Sequence, residues 1–145
     1  MRVDFYQLGR DPAEKALVPL ARKTLEAGER LLIVSGDEAQ LGRIDRALWE
    51  EDRAGFLAHD MAGGEHDALQ PILLSPEAEP ANGAGFMAIT DGVWREADPP
   101  FARTLFLFDE GTIDAARACW SMLGKRGGVE RRYWKQDGGR WVEGP

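Results

Sequence analysis

The residue types best suited to chemistry lie in one short stretch, HDMAGGEHD, which runs from His59 to Asp67. It contains both histidines of the chain, each followed by an aspartate, and a Gly-Gly pair lies between them. Imidazole and carboxylate groups bind divalent metals, and a glycine-containing turn lets backbone N–H groups approach a phosphate. The stretch therefore suggests a metal site, a phosphate-binding loop or an ordinary surface loop.

The rest of the chain supplies few residues that could complete a catalytic centre. A zinc site needs three or four ligands in a fixed geometry, and the sequence has no third histidine. The single cysteine, Cys119, lies in a helical segment beside Trp120, and no GxSxG motif occurs. These observations favour a binding protein with no catalytic residues, no metal and no cofactor. The alternative is a small Rossmann-like hydrolase or nucleotide-binding enzyme that uses the His59–Asp67 loop.

The elements that would position these residues alternate between strand and helix. Runs of apolar, β-branched and aromatic residues predict strands. They cover VDFYQL (3–8), LLIVS (31–35), GFLAHD (55–60), PILLS (71–75), GFMAIT (85–90), TLFLF (104–108) and a closing hairpin over 129–144. Three helices are predicted after the first, second and sixth of these strands: one with Asp11 as N-cap and Gly28 at its end, one from about Asp37 to Trp49, and one over Asp109–Lys125.

This order predicts the fold class and the domain organisation. Strands that alternate with helices form mainly parallel sheets with right-handed crossovers. His59–Gln70 lacks apolar periodicity and is predicted to be a loop. No internal repeat or linker occurs, so we expect one α/β domain over residues 1–145, with a three-layer arrangement of helices on both faces of the sheet.

Neither of the first two strand-to-helix turns carries a nucleotide-binding motif. LGRDPAEK and SGDEAQLG match neither GxGxxG nor GxxxxGK[ST]. In the second turn, Asp37 and Glu38 occupy the helix N-terminus, where a phosphate would meet the positive end of the helix dipole. We predict that these carboxylates cap the helix and that the chain has no nucleotide-binding loop.

The charge of the chain is acidic overall and basic in one region. The 145 residues carry a net charge of −7, which argues against duplex DNA as the main partner. Between Ala115 and Lys135, however, six basic residues stand against one acid, Glu130, which suggests a local anion-binding surface. No apolar run reaches the ~20 residues of a membrane helix, so a cytoplasmic protein without membrane contact is expected.

The aromatic residues indicate where partners could bind. Trp49 lies where the second helix meets the polar run EEDR, and Phe56 follows shortly after it. Large aromatics at such a position either anchor an interface or pack against the edge of the core. A second group shares the basic C-terminal region: Trp120, Tyr133, Trp134 and Trp141. Such a group can stack on single-stranded nucleic acid, or bind an acidic peptide that ends in an apolar side chain; the net negative charge favours the peptide.

Several segments resemble segments of the chi subunit family of bacterial DNA polymerase III and occur in the same order as in that family. They are VDFYQL, GERLLIVSGDEAQLGRIDRALWEED, GFLAHDMAGG, ARACWSMLGKRGG and RRYWKQDGGRWVEG. The combination of ALW with the following GFxxH is the most specific of these features. The resemblance implies a Rossmann-like α/β/α fold and a non-catalytic role in DNA replication. Such subunits join the clamp loader, through the psi subunit, to single-stranded DNA-binding protein, whose acidic C-terminal tail ends in Pro-Phe.

The resemblance also implies which residues bind the tail. Arg117 and Trp120, in the segment ARACW, match the arginine and the aromatic residue of the family's tail pocket. Lys125 and Arg126 match the family only in charge. Asp114, one turn before Arg117, is a departure, because a basic residue there would strengthen tail binding.

A separate face is implied for the clamp-loader partner. Trp49 and Phe56 match the residues of the family that contact psi, and in some members the same face is associated with a helicase. His59 would then be a structural residue at the border of this interface. Contact with DNA would be mainly indirect, through single-stranded DNA-binding protein.

Overall fold

The structure is a computed structural model that describes residues 1–51 and 57–144; Phe56, predicted for the psi face, therefore lies outside the described residues. The described part contains three α-helices and eight strands. The helices are α1 (Ala13–Glu26), α2 (Glu38–Glu51) and α3 (Ile113–Lys125). The strands are β1 (Arg2–Gln7), β2 (Leu31–Val34), β3 (His59–Met61), β4 (Ile72–Ser75), β5 (Phe86–Ile89), β6 (Arg103–Phe108), β7 (Glu130–Asp137) and β8 (Arg140–Glu143).

All eight strands belong to one sheet in the order β3-β4-β2-β5-β6-β1-β7-β8. Every neighbouring pair is parallel except β7 and β8, which form an antiparallel hairpin. Gly138 and Gly139 connect this hairpin with φ values of 57° and 85°, a conformation that glycine adopts at little cost and that suits the twist of a two-residue hairpin turn. The predicted α/β class, mainly parallel sheet and final hairpin are confirmed.

Two apolar clusters lie against the sheet. Alternate residues of β2 join different clusters: Leu31 and Ile33 pack with α1 and α2, whereas Leu32 and Val34 pack with α3. Side chains of a strand point alternately to opposite faces, so the central strands are buried on both sides. This double burial explains why their sequences are continuous apolar runs.

Two helix starts differ from the prediction. Pro12, rather than Asp11, occupies the N-cap position of α1, and the Asp11 carboxylate instead accepts a hydrogen bond from Gln136 Nε2 at 2.9 Å. Helix α3 begins at Ile113 rather than Asp109, because Asp109 forms the preceding turn and accepts a hydrogen bond from the Thr112 N–H. In both cases an aspartate bonds to a group outside the helix it was expected to begin.

The region predicted as a loop is partly ordered into regular structure. His59–Met61 forms β3, an edge strand that pairs with β4, and Asp67–Leu69 forms one turn of 3₁₀-helix. The strand predicted over 55–60 overlaps β3 at His59 and Asp60. The loop prediction was wrong at the start of this region, because the short strand pairs on one side only and carries polar residues, so it lacks an apolar pattern. No described helix is long and apolar enough to cross a membrane.

Candidate functional site

A groove of about 390 Å³ lies between α3 and the strands β1, β6 and β7, and we call it the α3 groove. Helix α3 supplies one wall, because residues three and four positions apart share a helix face. The lining is mostly apolar and carries one charged group. The lining residues are Phe5, Phe108, Ile113, Ala116, Trp120 and Tyr133, with Gln7, Arg117 and Ser121.

Trp120 is held from two sides. Its ring meets Phe5 edge to face at a centroid distance of 5.1 Å, and the Arg131 guanidinium carbon lies 4.2 Å from its centroid. Arg131 Nη1 also donates to the Trp120 carbonyl oxygen at 2.9 Å. Gly124 leaves room for this guanidinium, since a Cβ there would lie 2.7 Å from Arg131 Nη1. A cation–π contact contributes about 0.5–1 kcal/mol, so Trp120 forms a fixed wall of the groove.

Arg117 supplies the only charge among the lining residues of the α3 groove. Its side chain is 74% exposed, and Nη1 lies 3.8 Å from Asp114 Oδ1, on a side chain that is 97% exposed. An ion pair of this kind contributes about 0–1 kcal/mol, because water screens both groups. The guanidinium is therefore accessible to the carboxylate of a ligand.

The other two predicted tail-binding residues lie outside the groove. Lys125 is two turns beyond Arg117, about 12 Å along α3, and is exposed. Arg126 binds a different partner: its guanidinium donates to both carboxylate oxygens of Glu96, at 2.7 and 3.0 Å. These hydrogen bonds, with one from the Trp94 indole, hold the pKa of Glu96 below its usual value. The structure thus brings Arg117 and Trp120 together and places Arg126 elsewhere.

Trp49 lies on a separate surface formed by α2 and β3. Its side chain is 63% exposed, and its ring centroid is 4.9 Å from that of His59. His59 is buried: Nε2 lies 2.8 Å from Asp45 Oδ1, and Nδ1 lies 2.8 Å from the Leu57 carbonyl oxygen. His59 therefore ties the edge strand to α2 and supports the Trp49 ring.

Asp67, at the other end of the His59–Asp67 stretch, also makes structural contacts. The Asp67 carboxylate accepts hydrogen bonds from the N–H groups of Gly63 and Gly64, at 2.9 and 3.0 Å. These are the N–H groups that a bound phosphate would need. Within residues 1–51 and 57–144, no three His, Cys, Asp or Glu residues are grouped so that they could hold a metal ion.

Carboxylates occupy the N-terminus of α2. Asp37 Oδ1 accepts hydrogen bonds from two N–H groups of the first turn, at 3.0 and 3.3 Å, which confirms the predicted cap. Asp91 Oδ2 accepts the Gly36 N–H at 2.8 Å and pairs with Arg95 at 2.7 Å. Burial raises the pKa of Asp91, but the bonds from Arg95 and Gly36 lower it further, so the carboxyl stays below its usual pKa.

Some lining residues of the α3 groove were not predicted from the sequence. Phe5, Phe108 and Ile113 were assigned only to strands or a helix. Arg131, which does not line the groove but packs on the Trp120 ring, was assigned only to a charge cluster. The alternation of β7 carries a usable signal, because Arg131 and Tyr133 point to the same face. The Tyr133 hydroxyl donates to Gln7 on β1, which joins the two strands at the groove.

The fold and this geometry define an α/β protein with an aromatic groove beside an exposed arginine. The family model described as "DNA polymerase III chi subunit, HolC" matches residues 1–130, so the chain belongs to the DNA polymerase III chi subunit family. It is 34% identical over 84 residues to the DNA polymerase III subunit chi of Pseudomonas aeruginosa, covering 56% of this chain and 58% of the relative. It is 34% identical over 55 residues to that of Escherichia coli, covering 38% and 37%.

Proposed function

We propose that this chain is a non-catalytic accessory subunit of the bacterial DNA polymerase III holoenzyme. It would link the clamp loader to the acidic C-terminal tail of single-stranded DNA-binding protein during replication. The α3 groove carries this proposal, because an aromatic recess with one guanidinium at its rim is complementary to a peptide that ends in Phe. Membership of the chi family supports the same role.

In this proposal the side chain and the carboxylate of the terminal phenylalanine bind different residues. The phenylalanine ring packs against Trp120 and Tyr133, which line the groove. The terminal carboxylate pairs with the Arg117 guanidinium, whose planar donors suit a carboxylate. Lys125, further along α3, attracts the acidic residues upstream in the tail. Arg126 is already paired with Glu96 and contributes only at longer range.

The proposal includes the finer features of the fold and location. The two apolar clusters, one with α1 and α2 and one with α3, support a three-layer Rossmann-like arrangement in a single domain over residues 1–145. The protein would act in the cytoplasm without a cofactor, and it would meet DNA mainly through its partner.

The proposal is tested by titrating the full chain with two acidic peptides, one ending in Asp-Ile-Pro-Phe and one that lacks the Phe. Loss of the ring removes about 1.5–3 kcal/mol of apolar burial, so the shorter peptide should bind about tenfold to a hundredfold more weakly. Calorimetry gives the affinities, and amide chemical shifts locate the site. Equal affinity for the two peptides, or shifts that avoid the α3 groove, would contradict the proposal.

A second surface is proposed to bind the psi subunit of the clamp loader, or in its place a helicase. Replacing Trp49 with alanine should weaken capture of a purified psi subunit about thirtyfold, because a large exposed aromatic can contribute about 2 kcal/mol at an interface. Biolayer interferometry measures this loss. Arg43→Ala, an exposed position on another face of the same helix, is the control and should bind normally. Tail-peptide binding should survive in both variants; its loss with Trp49→Ala would indicate unfolding instead.

A further inference from the structure

A larger groove, of about 820 Å³, lies on the other face of the sheet, between α1 and the strands β1, β7 and β8. We call it the α1 groove. Tyr6, Trp134 and Trp141 form an aromatic group on its floor: the Trp141 ring meets Tyr6 edge to face at 4.9 Å, and Trp134 is nearly parallel to Tyr6 at 6.3 Å. Trp134 and Trp141 are only half-buried, so part of each ring faces the groove.

A buried carboxylate beneath this floor is paired with two arginines. Asp4 is fully buried and accepts hydrogen bonds from Arg2 (2.9 Å to each oxygen), from Arg103 Nε (2.7 Å) and from the Trp134 indole (2.9 Å). Arg103 Nη2 also donates to the Tyr6 hydroxyl at 3.0 Å. Arg2 Nε also lies 3.7 Å from Glu130 Oε2, so two carboxylates balance the two guanidinium groups. The side chains of Arg2 and Arg103 are 30% and 28% exposed where they line the groove.

The charge of the groove is opposite to that of the whole chain. Two carboxylates, Asp11 and Glu51, belong to the lining. Six cationic residues belong to it as well: Arg2, Lys15, Arg22, Lys23, Arg103 and Arg140. A positive concavity on a chain of net charge −7 points to an anionic occupant.

We propose that the α1 groove binds single-stranded nucleic acid directly. Lys15 and Lys23 lie about 12 Å apart along α1, far enough to contact different phosphates of one strand. The phosphates pair with the cations of α1 and with Arg140 on the hairpin, and bases stack on the exposed parts of Trp134 and Trp141. An acidic peptide would satisfy the cations but would leave the aromatic floor without stacking partners, so nucleic acid is the better match.

This inference extends the proposed function and does not depend on it. The α3 groove and the α1 groove lie on opposite faces of the sheet, so one chain could hold a protein tail on one side and a strand on the other. A subunit with both grooves would bind single-stranded DNA directly, next to the single-stranded DNA-binding protein that covers it. Either groove can fail its test while the other passes.

The test uses fluorescence anisotropy of a labelled oligo-dT of about 15 nucleotides with the full chain, at about 50 mM salt and above. The variant Lys23→Glu/Arg140→Glu reverses two groove charges. It should weaken binding at least about tenfold and reduce the slope of log affinity against log salt by about 1.4, or about 0.7 per phosphate contact. The matched control, Arg46→Glu/Lys135→Glu, makes the same charge change outside the groove and should alter affinity less than about threefold.

Three outcomes would overturn the proposal. The first is no binding by the wild-type chain at about 50 mM salt. The second is an equal loss of oligo-dT affinity in both double variants, which would show that affinity depends on the overall charge of the chain and not on the α1 groove. The third is stronger competition by a Glu-rich peptide of equal charge than by unlabelled oligo-dT, which would assign the groove to a protein partner. Urea unfolding of each variant checks that the fold is retained.

Discussion

Replacing Asp4 with alanine is expected to lower the free energy of unfolding by about 3 kcal/mol. The substitution removes the shared acceptor of Arg2, Arg103 and the Trp134 indole. Breaking a buried pair by deleting one partner costs about 3–5 kcal/mol, and the partial exposure of the two arginines favours the lower end. Urea unfolding at pH 7, followed by tryptophan fluorescence, measures the change. Asp114→Asn, at an almost fully exposed carboxylate, should change the value by less than about 0.5 kcal/mol.

The same carboxylate should make stability depend on pH in the acid range. Burial raises the pKa of Asp4, but hydrogen bonds from Arg2 and Trp134 and the charges of Arg103 and Arg2 lower it further, so its pKa in the folded protein is below the usual value. A depressed folded pKa contributes stability that is complete above the unfolded pKa of about 3.9. That contribution is lost as the pH falls through the lower folded pKa.

The stability difference between wild type and Asp4→Asn should therefore narrow between about pH 5 and pH 2. Unfolding curves at several pH values measure it. A difference that stays constant through this range would show that the Asp4 carboxylate remains equally charged in both states, contrary to the geometry described above.

Replacing Arg117 with glutamate is expected to weaken binding of the acidic tail peptide at least tenfold. The change removes a charge-assisted hydrogen bond worth about 1.5–3 kcal/mol and adds a repulsive carboxylate at the rim of the α3 groove. Isothermal titration calorimetry at low salt gives the affinity, and the difference from wild type should shrink as salt is added. Unchanged affinity would rule out Arg117 as the carboxylate partner.

Two neighbouring substitutions sharpen this result. Asp114→Asn removes the exposed partner of Arg117 and should tighten binding by about twofold to fivefold, equivalent to about 0.4–1 kcal/mol. Arg126→Ala deletes a charge that Glu96 already pairs, and it should weaken binding less than about twofold. An effect of Arg126→Ala as large as that of Arg117→Glu would move the site toward Trp94 and Glu96.

The elements that could be predicted from sequence are those whose burial imposes a pattern. β2 and β6 are continuous apolar runs because both of their faces are covered. The turn of the last hairpin needs positive φ angles, which glycine adopts most easily, so its glycine pair marks the turn in the sequence. β3 was predicted only in part: the strand expected over 55–60 overlaps it at His59 and Asp60, but a three-residue edge strand needs only the backbone bonds of β4 and imposes no apolar pattern.

The candidate site was predicted only in part, for a related reason. Arg117 and Trp120 share one helix, so their spacing in the sequence already brings them together. Phe5 and Arg131 reach Trp120 from β1 and β7, and only the order of the sheet places those strands beside α3. One signal in the sequence was overlooked: Asp4 interrupts an apolar strand, and a buried carboxylate needs cationic partners.

The carboxylate of Asp91 occupies a backbone N–H at the start of α2, so it would compete with any phosphate for that group. Its bond to the Gly36 N–H occupies the place that an α/β fold often uses for a nucleotide phosphate. A group attached to the same chain has an effective concentration in the millimolar range or above. A free nucleotide would have to displace this internal anion and would also separate it from Arg95. The chain thus carries an internal anion at a position where many parallel α/β folds bind a phosphate.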